Sequence, residues 1–384
     1  MDSFKIYEQK VLIQLRDQVC ETAEDILKSD LFKEVLKRAV EKLSKRNSFL
    51  LNIFDKKPVE DKDLQKLIQV LISLTKTPAA SLAQTSPGSE IFLRDPHLFN
   101  DFIEYLYNYW RSFDRFVISD WTGRELDDKP YLAFSSTIGH LTNLIRGMYR
   151  DIQKNVTGKY LRIYRQVTAG AEVSTIAMTK KIPFPAPIYE PLNQTRMIRQ
   201  MLLYPPLILN PPMNKRTGRF ERVDRNPLEL IKYDPNDWLC YPAKVGTLVI
   251  LIYFHNKFAE LGHSLCNLFQ MAEGEDLKKK PDAIYLFGVP DDALAPFGSF
   301  PTVFYDDQAN GILVGAVPNR NEFGYFGYLK KMVLTLHNII MMKRGILPFH
   351  GALIRLILKG GKDVTILSIG DTGAGKSETL EAFR

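Results

Sequence analysis

One short stretch near the end of the chain, residues 369–377, constrains the fold more than any other part of the sequence. It reads Ile-Gly-Asp-Thr-Gly-Ala-Gly-Lys-Ser and fits the pattern G-x-x-x-x-G-K-[S/T], which is typical of loops that bind phosphate groups. The apolar residues 364–369 predict a buried strand before the loop, and residues 378–383 predict the start of a helix after it. Because the motif needs a strand before it and a helix after it, the sequence predicts an α/β fold here.

In such a loop the glycines let backbone N–H groups converge on phosphate oxygens. The residues predicted to bind the phosphates of a nucleotide are Gly370, Asp371, Thr372, Gly373, Ala374, Gly375, Lys376 and Ser377. Lys376 would reach the β- and γ-phosphates, and the hydroxyl of Ser377 would bind Mg²⁺. Since only seven residues follow Ser377 in this sequence, we expect a fragment that is not catalytically competent alone.

Composition restricts the class of protein and its partners. A chain of 384 residues with 45% hydrophobic and 25% charged residues is typical of two or three globular domains. The net charge of +7 suits an anionic ligand, and without an aromatic-basic RNA motif we expect no nucleic-acid partner. The most apolar run, residues 245–254, is too short for a membrane-spanning helix, so we expect no membrane partner. Three widely spaced cysteines, Cys20, Cys240 and Cys266, predict reduced thiols in a cytoplasmic protein.

The first 158 residues have the periodicity of amphipathic helices. Residues 32–43 place apolar side chains at i, i+3, i+4 and i+7 spacings, and residues 102–110 and 138–149 behave in the same way. We expect their aromatic side chains in helix–helix contacts rather than in a binding site. The pattern predicts a helical N-terminal region over residues 1–158.

From residue 159 onward, strand-like runs alternate with helical segments. The strand-like runs are 160–167, 248–254, 283–287 and 311–317, and the helical segments are 257–265 and 332–342. A proline-rich passage, 183–212, predicts a loop packed on a domain surface. The predicted fold class is α/β (α+β). It comprises the helical region, a mixed-sheet region over 159–345, and the start of a nucleotide-binding domain over 346–384.

A second motif lies upstream of the glycine loop. Tyr325, Gly327, Lys330 and Lys331 form the pattern Tyr-x-Gly-x-x-Lys-Lys, and His350 follows Lys331 by nineteen residues. A strand and the glycine loop come next. This order and spacing resemble the ATP-dependent phosphoenolpyruvate carboxykinase family, and the resemblance implies a carboxykinase-like mixed-sheet domain ahead of the nucleotide domain.

The resemblance also implies an activity and a set of residue roles. The activity is the ATP-dependent conversion of oxaloacetate to phosphoenolpyruvate and CO₂, with Mn²⁺ as the catalytic metal. Lys331 and His350 match the family's manganese ligands, and Ser377 would hold a second ion at the phosphates. Lys330 matches the first lysine of the pair. Tyr325 matches the tyrosine that lies near bound phosphoenolpyruvate or CO₂.

A third segment, Thr-Gly-Arg at residues 217–219, resembles the family's Thr-Gly-Arg-Ser-Pro segment. The arginine of that segment binds the substrate carboxylate and helps to position CO₂, and the resemblance gives this role to Arg219. A guanidinium fork suits a planar carboxylate. The next residues, 220–222, are Phe-Glu-Arg, so the loop departs from the family after Arg219.

Two other functions stay open. Residues 370–378 are closer in letters to the loop of the HPr kinase/phosphorylase family, which also has a His-Gly pair before the strand, as His350-Gly351 does here. The chain could therefore be a kinase of a protein or small-molecule hydroxyl, or a nucleotide-binding regulatory protein without catalysis. The Tyr-x-Gly-x-x-Lys-Lys and Thr-Gly-Arg segments favour the carboxykinase. Asp306 and Asp307 predict a solvated turn rather than a metal site.

Overall fold

The structure is a computed structural model that describes most of the chain. It covers residues 3–15, 20–55, 58–120, 128–158 (side chains from 135), 169–204, 211–215, 217–299, 301–370 and 374–382. The predicted strand 160–167, together with Asp371, Thr372 and Gly373 of the glycine loop, lies outside these ranges.

The described ranges contain both helices and strands throughout. The strands are β1 Ser3–Tyr7, β2 Lys10–Leu15, β3 Asp114–Asp120, β4 Val173–Thr179, β5 Arg196–Leu203, β6 Glu221–Val223, β7 Trp238–Val245, β8 Leu248–His255, β9 Gln270–Met271, β10 Ala283–Val289, β11 Val303–Asp307, β12 Ile312–Pro318, β13 Gly351–Ile357 and β14 Asp363–Ile369. The helices are α1 Ala23–Lys28, α2 Asp30–Lys45, α3 Asp61–Leu74, α4 Ala79–Thr85, α5 Glu90–Leu93, α6 Pro96–Arg111, α7 Asp128–Thr157, α8 Ala259–His263, α9 Asp291–Leu294, α10 Phe326–Lys343 and α11 Lys376–Ala382.

Within the described residues, twelve strands form one mixed sheet. Its order is β1-β2-β3-β4-β5-β7-β8-β10-β12-β11-β6, and β9 pairs with β7. Strands β2, β3 and β4 are parallel, as are β8, β10 and β12. Strands β13 and β14 form a separate antiparallel pair. This arrangement confirms the predicted mixed α/β class. Among the described residues, none of the helices is both long and apolar enough to cross a membrane.

The sheet crosses the boundary that the sequence predicted at residue 158, because β3 pairs with β4. The prediction of a helical N-terminal region over 1–158 is therefore corrected: helices α1–α7 lie within it, but so do strands β1, β2 and β3. Side chains alternate between the two faces of a strand. Val117 accordingly joins the core formed with helices α1–α7. Its neighbours Phe116 and Ile118 join the core on the opposite face, which contains α8 and α10.

Two loop predictions are also wrong, because distant partners bury the segments. Asp307 is not in a solvated turn: it ends β11 and is buried, and it accepts a hydrogen bond from the hydroxyl of Tyr189 at 2.7 Å. The proline-rich passage is not only a surface loop. Its residues Phe184, Tyr189 and Leu192 belong to the core on one face of β7, β8, β10 and β12, and β5 lies within the passage.

Helix α8 is buried along its whole length. His263 links it to β4, because its Nδ1 lies 2.7 Å from the carbonyl oxygen of Ala259 and its Nε2 lies 2.8 Å from the hydroxyl of Thr175. Burial lowers the pKa of His263 to about 4. The neutral ring donates from Nδ1 to the carbonyl and accepts at Nε2, so it is a core residue rather than a candidate ligand.

Gly262 of α8 gives a test of this packing. A Cβ added there would lie 2.4 Å from ring atoms of Phe254, which is fully buried. We expect Gly262→Ala to lower the free energy of unfolding by about 1–3 kcal/mol, because the ring has nowhere to move. Gly139→Ala in α7 is the matched control, since nothing lies within 4 Å of its added Cβ. It should raise that free energy by about 0.5–1 kcal/mol. Denaturant unfolding measures both, and equal effects of the two substitutions would contradict the packing described.

Candidate functional site

Strand, loop and helix follow one another around the glycine loop as the motif requires. Strand β14 ends at Ile369 and helix α11 begins at Lys376, two residues before the predicted helix start. The predictions that a strand precedes the loop and that a helix follows it are therefore confirmed, apart from this boundary.

The described residues of the loop form a tight turn. The φ angle of Gly375 is +76°, a conformation that favours glycine. A Cβ added to Gly370 would lie 2.8 Å from the Cβ of Ala374, so the two ends of the loop approach closely. The ammonium of Lys376 donates to the carbonyl oxygen of Gly370 at 2.7 Å. The N–H of Thr379 donates to the carbonyl oxygen of Gly375 at 2.9 Å. The first of these bonds holds the ammonium of Lys376 at the start of the loop.

The strand that leads into the loop is exposed, so the prediction of a buried strand is wrong. In β14 the side chains of Leu367 and Ile369 are 44% and 58% exposed, and in β13 that of Leu353 is 65% exposed. One helix packs on this two-stranded hairpin and covers only one of its faces. These residues lie on the uncovered face. The glycine of the His-Gly pair fits the hairpin, because a Cβ at Gly351 would lie 2.7 Å from the carbonyl oxygen of Ser368.

Helix α10 carries the Tyr-x-Gly-x-x-Lys-Lys motif at its start. Its buried side packs on β10 and β12 through residues that include Tyr328 and Met332. Lys331 is exposed and Lys330 is half-buried. A Cβ on Gly327 would lie 2.1 Å from the ring of Tyr325, so the glycine is needed for this ring to fold over the first turn. The pattern thus has a structural reason at two of its positions.

The Thr-Gly-Arg segment lies against the same helix. The phenolic oxygen of Tyr328 accepts hydrogen bonds from the backbone N–H groups of Thr217, at 3.0 Å, and Gly218, at 2.9 Å. The hydroxyl of Thr302 donates to the carbonyl oxygen of Arg219, whose side chain is exposed. Two motifs about 110 residues apart in the sequence are therefore adjacent in space.

Three basic side chains of this region have no carboxylate partner among the described residues. In the part of the chain that the structure describes, no carboxylate forms an ion pair with Arg219, Lys330 or Lys331. By contrast, Arg222 contacts Asp306, which also pairs with Lys343 at the end of α10. An unpaired arginine in a segment held against α10 and two unpaired lysines on that helix are residue types suited to binding a carboxylate or phosphate.

The predicted metal ligands are accessible but do not form a ready-made cluster. His350 is exposed just before β13, and Ser377 is exposed in the first turn of α11. Over the described ranges, no hydrogen bond joins His350 to Lys331. In the same ranges no group of three or more His, Cys, Asp or Glu side chains is placed to hold a metal ion. The Mn²⁺ and Mg²⁺ assignments to Lys331, His350 and Ser377 therefore stay predictions.

Sequence reasoning missed Tyr328 and Thr302, which hold the Thr-Gly-Arg segment. Tyr328 had a usable signal, since a tyrosine on the apolar side of a helix must find a partner for its hydroxyl when buried. The identity of that partner depends on tertiary structure, and no spacing rule gives it.

Comparison with protein family models, with curated proteins and with solved structures finds no match to this chain. A proposal about the function of this chain therefore rests on the motifs and on the geometry described above.

Proposed function

We propose that this chain is the substrate- and nucleotide-binding part of a phosphoenolpyruvate carboxykinase-like lyase. Residues 370–377 bind ATP with Mg²⁺, and Arg219 binds a carboxylate of oxaloacetate beside α10. One observation carries the proposal. The buried phenol of Tyr328 holds the Thr-Gly-Arg segment against the helix of the Tyr-x-Gly-x-x-Lys-Lys motif, so two motifs of one family meet although they are far apart in the sequence.

The residues suit the proposed chemistry. Loss of CO₂ from oxaloacetate leaves an enolate, whose oxygen then attacks the γ-phosphoryl group of ATP to give phosphoenolpyruvate and ADP. Arg219 holds the carboxylate that is retained, and the unpaired Lys330 favours the developing negative charge. Lys376 neutralises charge on the phosphoryl group during transfer. A Mn²⁺ ion bound by Lys331 and His350 would supply Lewis-acid stabilisation of the enolate. The exposed, unpaired amine and imidazole fit that ion as donors.

A kinase of the HPr kinase type is the second candidate. The letters of residues 370–378 and the His350-Gly351 pair favour it. That function would not require Arg219 to bind a dicarboxylate, so the two candidates differ in what the Thr-Gly-Arg segment does.

The expected compartment is the cytoplasm. Cys20 and Cys240 are buried and Cys266 is partly buried, and all three are free thiols. Free thiols fit a reducing compartment.

Nucleotide binding can be tested at Lys376. We expect Lys376→Ala to weaken binding of ATP–Mg²⁺ by about tenfold or more, or at least ~1.4 kcal/mol, because the ammonium over the loop no longer contacts the phosphates. Lys362→Ala, which removes an exposed lysine next to β14, is the control and should bind normally. Isothermal titration calorimetry gives both affinities. Equal affinities for the two variants would refute the nucleotide assignment.

The dicarboxylate and metal assignments can be tested together. We expect oxalate, a planar dicarboxylate, to increase the affinity of this chain for Mn²⁺, because two ligands that share a site favour each other's binding reciprocally. Lys331→Ala and His350→Ala should weaken Mn²⁺ binding by about tenfold or more. Arg219→Ala should abolish the oxalate effect and leave binding of Mn²⁺ alone unchanged. Electron paramagnetic resonance of the free ion measures each affinity.

The control for these variants is His140→Ala, which removes an exposed histidine on α7 and should change nothing. If oxalate leaves the Mn²⁺ affinity of the unmodified chain unchanged while ATP still binds, the carboxykinase proposal fails and the kinase becomes the better candidate.

A further inference from the structure

The segment around Arg219 is fixed at several places along its length. Before it, Pro212 packs against Gly324, where an added Cβ would lie 2.8 Å from the proline Cγ, and the N–H of Met213 donates to the carbonyl oxygen of Gly324 at 3.3 Å. After it, β6 pairs with β11. Between these two anchors, the oxygen of Tyr328 accepts from the N–H groups of Thr217 and Gly218, and the hydroxyl of Thr302 donates to the carbonyl oxygen of Arg219.

Tyr328 is itself rigidly placed. Its side chain is fully buried, and its ring meets that of Phe323 edge to face at a centroid distance of 5.2 Å. The hydroxyl of Tyr285 on β10 donates to its carbonyl oxygen at 3.3 Å. Because the core fixes this ring, the two hydrogen bonds restrain the backbone of the loop relative to the core.

Tyr328 also links two residues that are predicted to bind ligands, Arg219 and Lys331. Tyr328 and Lys331 are three residues apart on α10, so they are neighbours on the helix surface. Gly218 directly precedes Arg219. One phenol therefore links the backbone beside the guanidinium to the helix turn that carries the amine.

We propose that Tyr328 is a positioning residue for the anion site: it holds residues 217–219 so that the guanidinium of Arg219 faces a dicarboxylate bound beside Lys331. The inference rests on the proposed function for its ligand. Without the phenol, Arg219 is still present, but the loop samples other positions and the guanidinium spends less time in the binding geometry.

The variant for the test is Tyr328→Phe, which keeps the ring in the core and removes the acceptor oxygen. Tyr285→Phe is the matched control, because it removes another buried phenolic hydroxyl that bonds to α10 but makes no bond to residues 217–219. Denaturant unfolding of both variants establishes that the fold is kept. Two properties are then compared in the intact chain: hydrogen exchange of the amides of Thr217 and Gly218, and the affinity for oxalate.

In Tyr328→Phe we expect exchange at the two amides to be about tenfold faster or more, and oxalate affinity to fall about tenfold. ATP affinity should not change. Tyr285→Phe should resemble the unmodified chain in all three measurements. In an Arg219→Ala background, Tyr328→Phe should cause no further loss of oxalate affinity, because the phenol acts through the arginine.

Unchanged exchange in Tyr328→Phe would overturn the inference whatever the ligand, because the phenol would then not hold the loop. Faster exchange with unchanged oxalate affinity would also overturn it, since holding the loop would have no effect on the site. If exchange is faster but the unmodified chain does not bind oxalate, the proposed function fails, and the positioning role fails with it. A further loss in the Arg219→Ala background would contradict action through the arginine.

Discussion

Two backbone amides donate to one buried phenolic oxygen, and this interaction holds the loop that carries Arg219. Residues 215–225 carry five basic side chains, at positions 215, 216, 219, 222 and 225, and two acidic ones, at positions 221 and 224. Arg222 and Arg225 are paired with Asp306 and Glu229. Hydrogen bonds to Tyr328 and from Thr302 hold the backbone of this loop against α10 and β11. Arg219, which forms no ion pair among the described residues, is thereby kept in a segment beside the helix that carries Lys330 and Lys331, and the anion site proposed above depends on that placement.

Local sequence patterns predicted several helices and strands. Strand pairing and burial depend on residues far apart in the sequence, so the patterns did not predict them. Apolar periodicity indicated α2, α6, α7 and α10, and strand-like runs indicated β8, β10 and β12, because these signals depend on neighbouring residues. The pairing of β3 with β4 and the burial of Asp307 by Tyr189 involve residues about 60 to 120 positions apart, so no local pattern shows them. The same limit applies to the candidate site. The G-x-x-x-x-G-K-[S/T] pattern identified the glycine loop, and the family resemblance pointed to Arg219 and Lys331, whereas the bond between Tyr328 and residues 217–218 became visible only in three dimensions.

Some charged side chains are paired within the fold, and others remain available to bind a ligand. Asp306 receives both Lys343 and Arg222, and Arg344 pairs with Asp282, so these charges are satisfied within the fold. His263 is neutral and hydrogen-bonded at both ring nitrogens. Among the described residues, Arg219, Lys330, Lys331 and His350 form no ion pair. The carboxykinase proposal assigns its chemistry to these residues, and the physical reason is that anions and metal ions compete poorly for side chains that already have partners.

In the proposed function, one Mn²⁺ ion with its dicarboxylate would bind between the Thr-Gly-Arg segment, the start of α10 and His350. Paramagnetic broadening by Mn²⁺ tests it most directly, since the ion attenuates the nuclear magnetic resonance signals of nearby amides. In the isotopically labelled chain with oxalate, we predict that low concentrations of Mn²⁺ attenuate first the amide signals of Gly218, Lys331 and His350. Signals of α2 and α3, in the separate core of the N-terminal helices, should persist. Attenuation that begins elsewhere, or that spares either Gly218 or His350, would contradict the account.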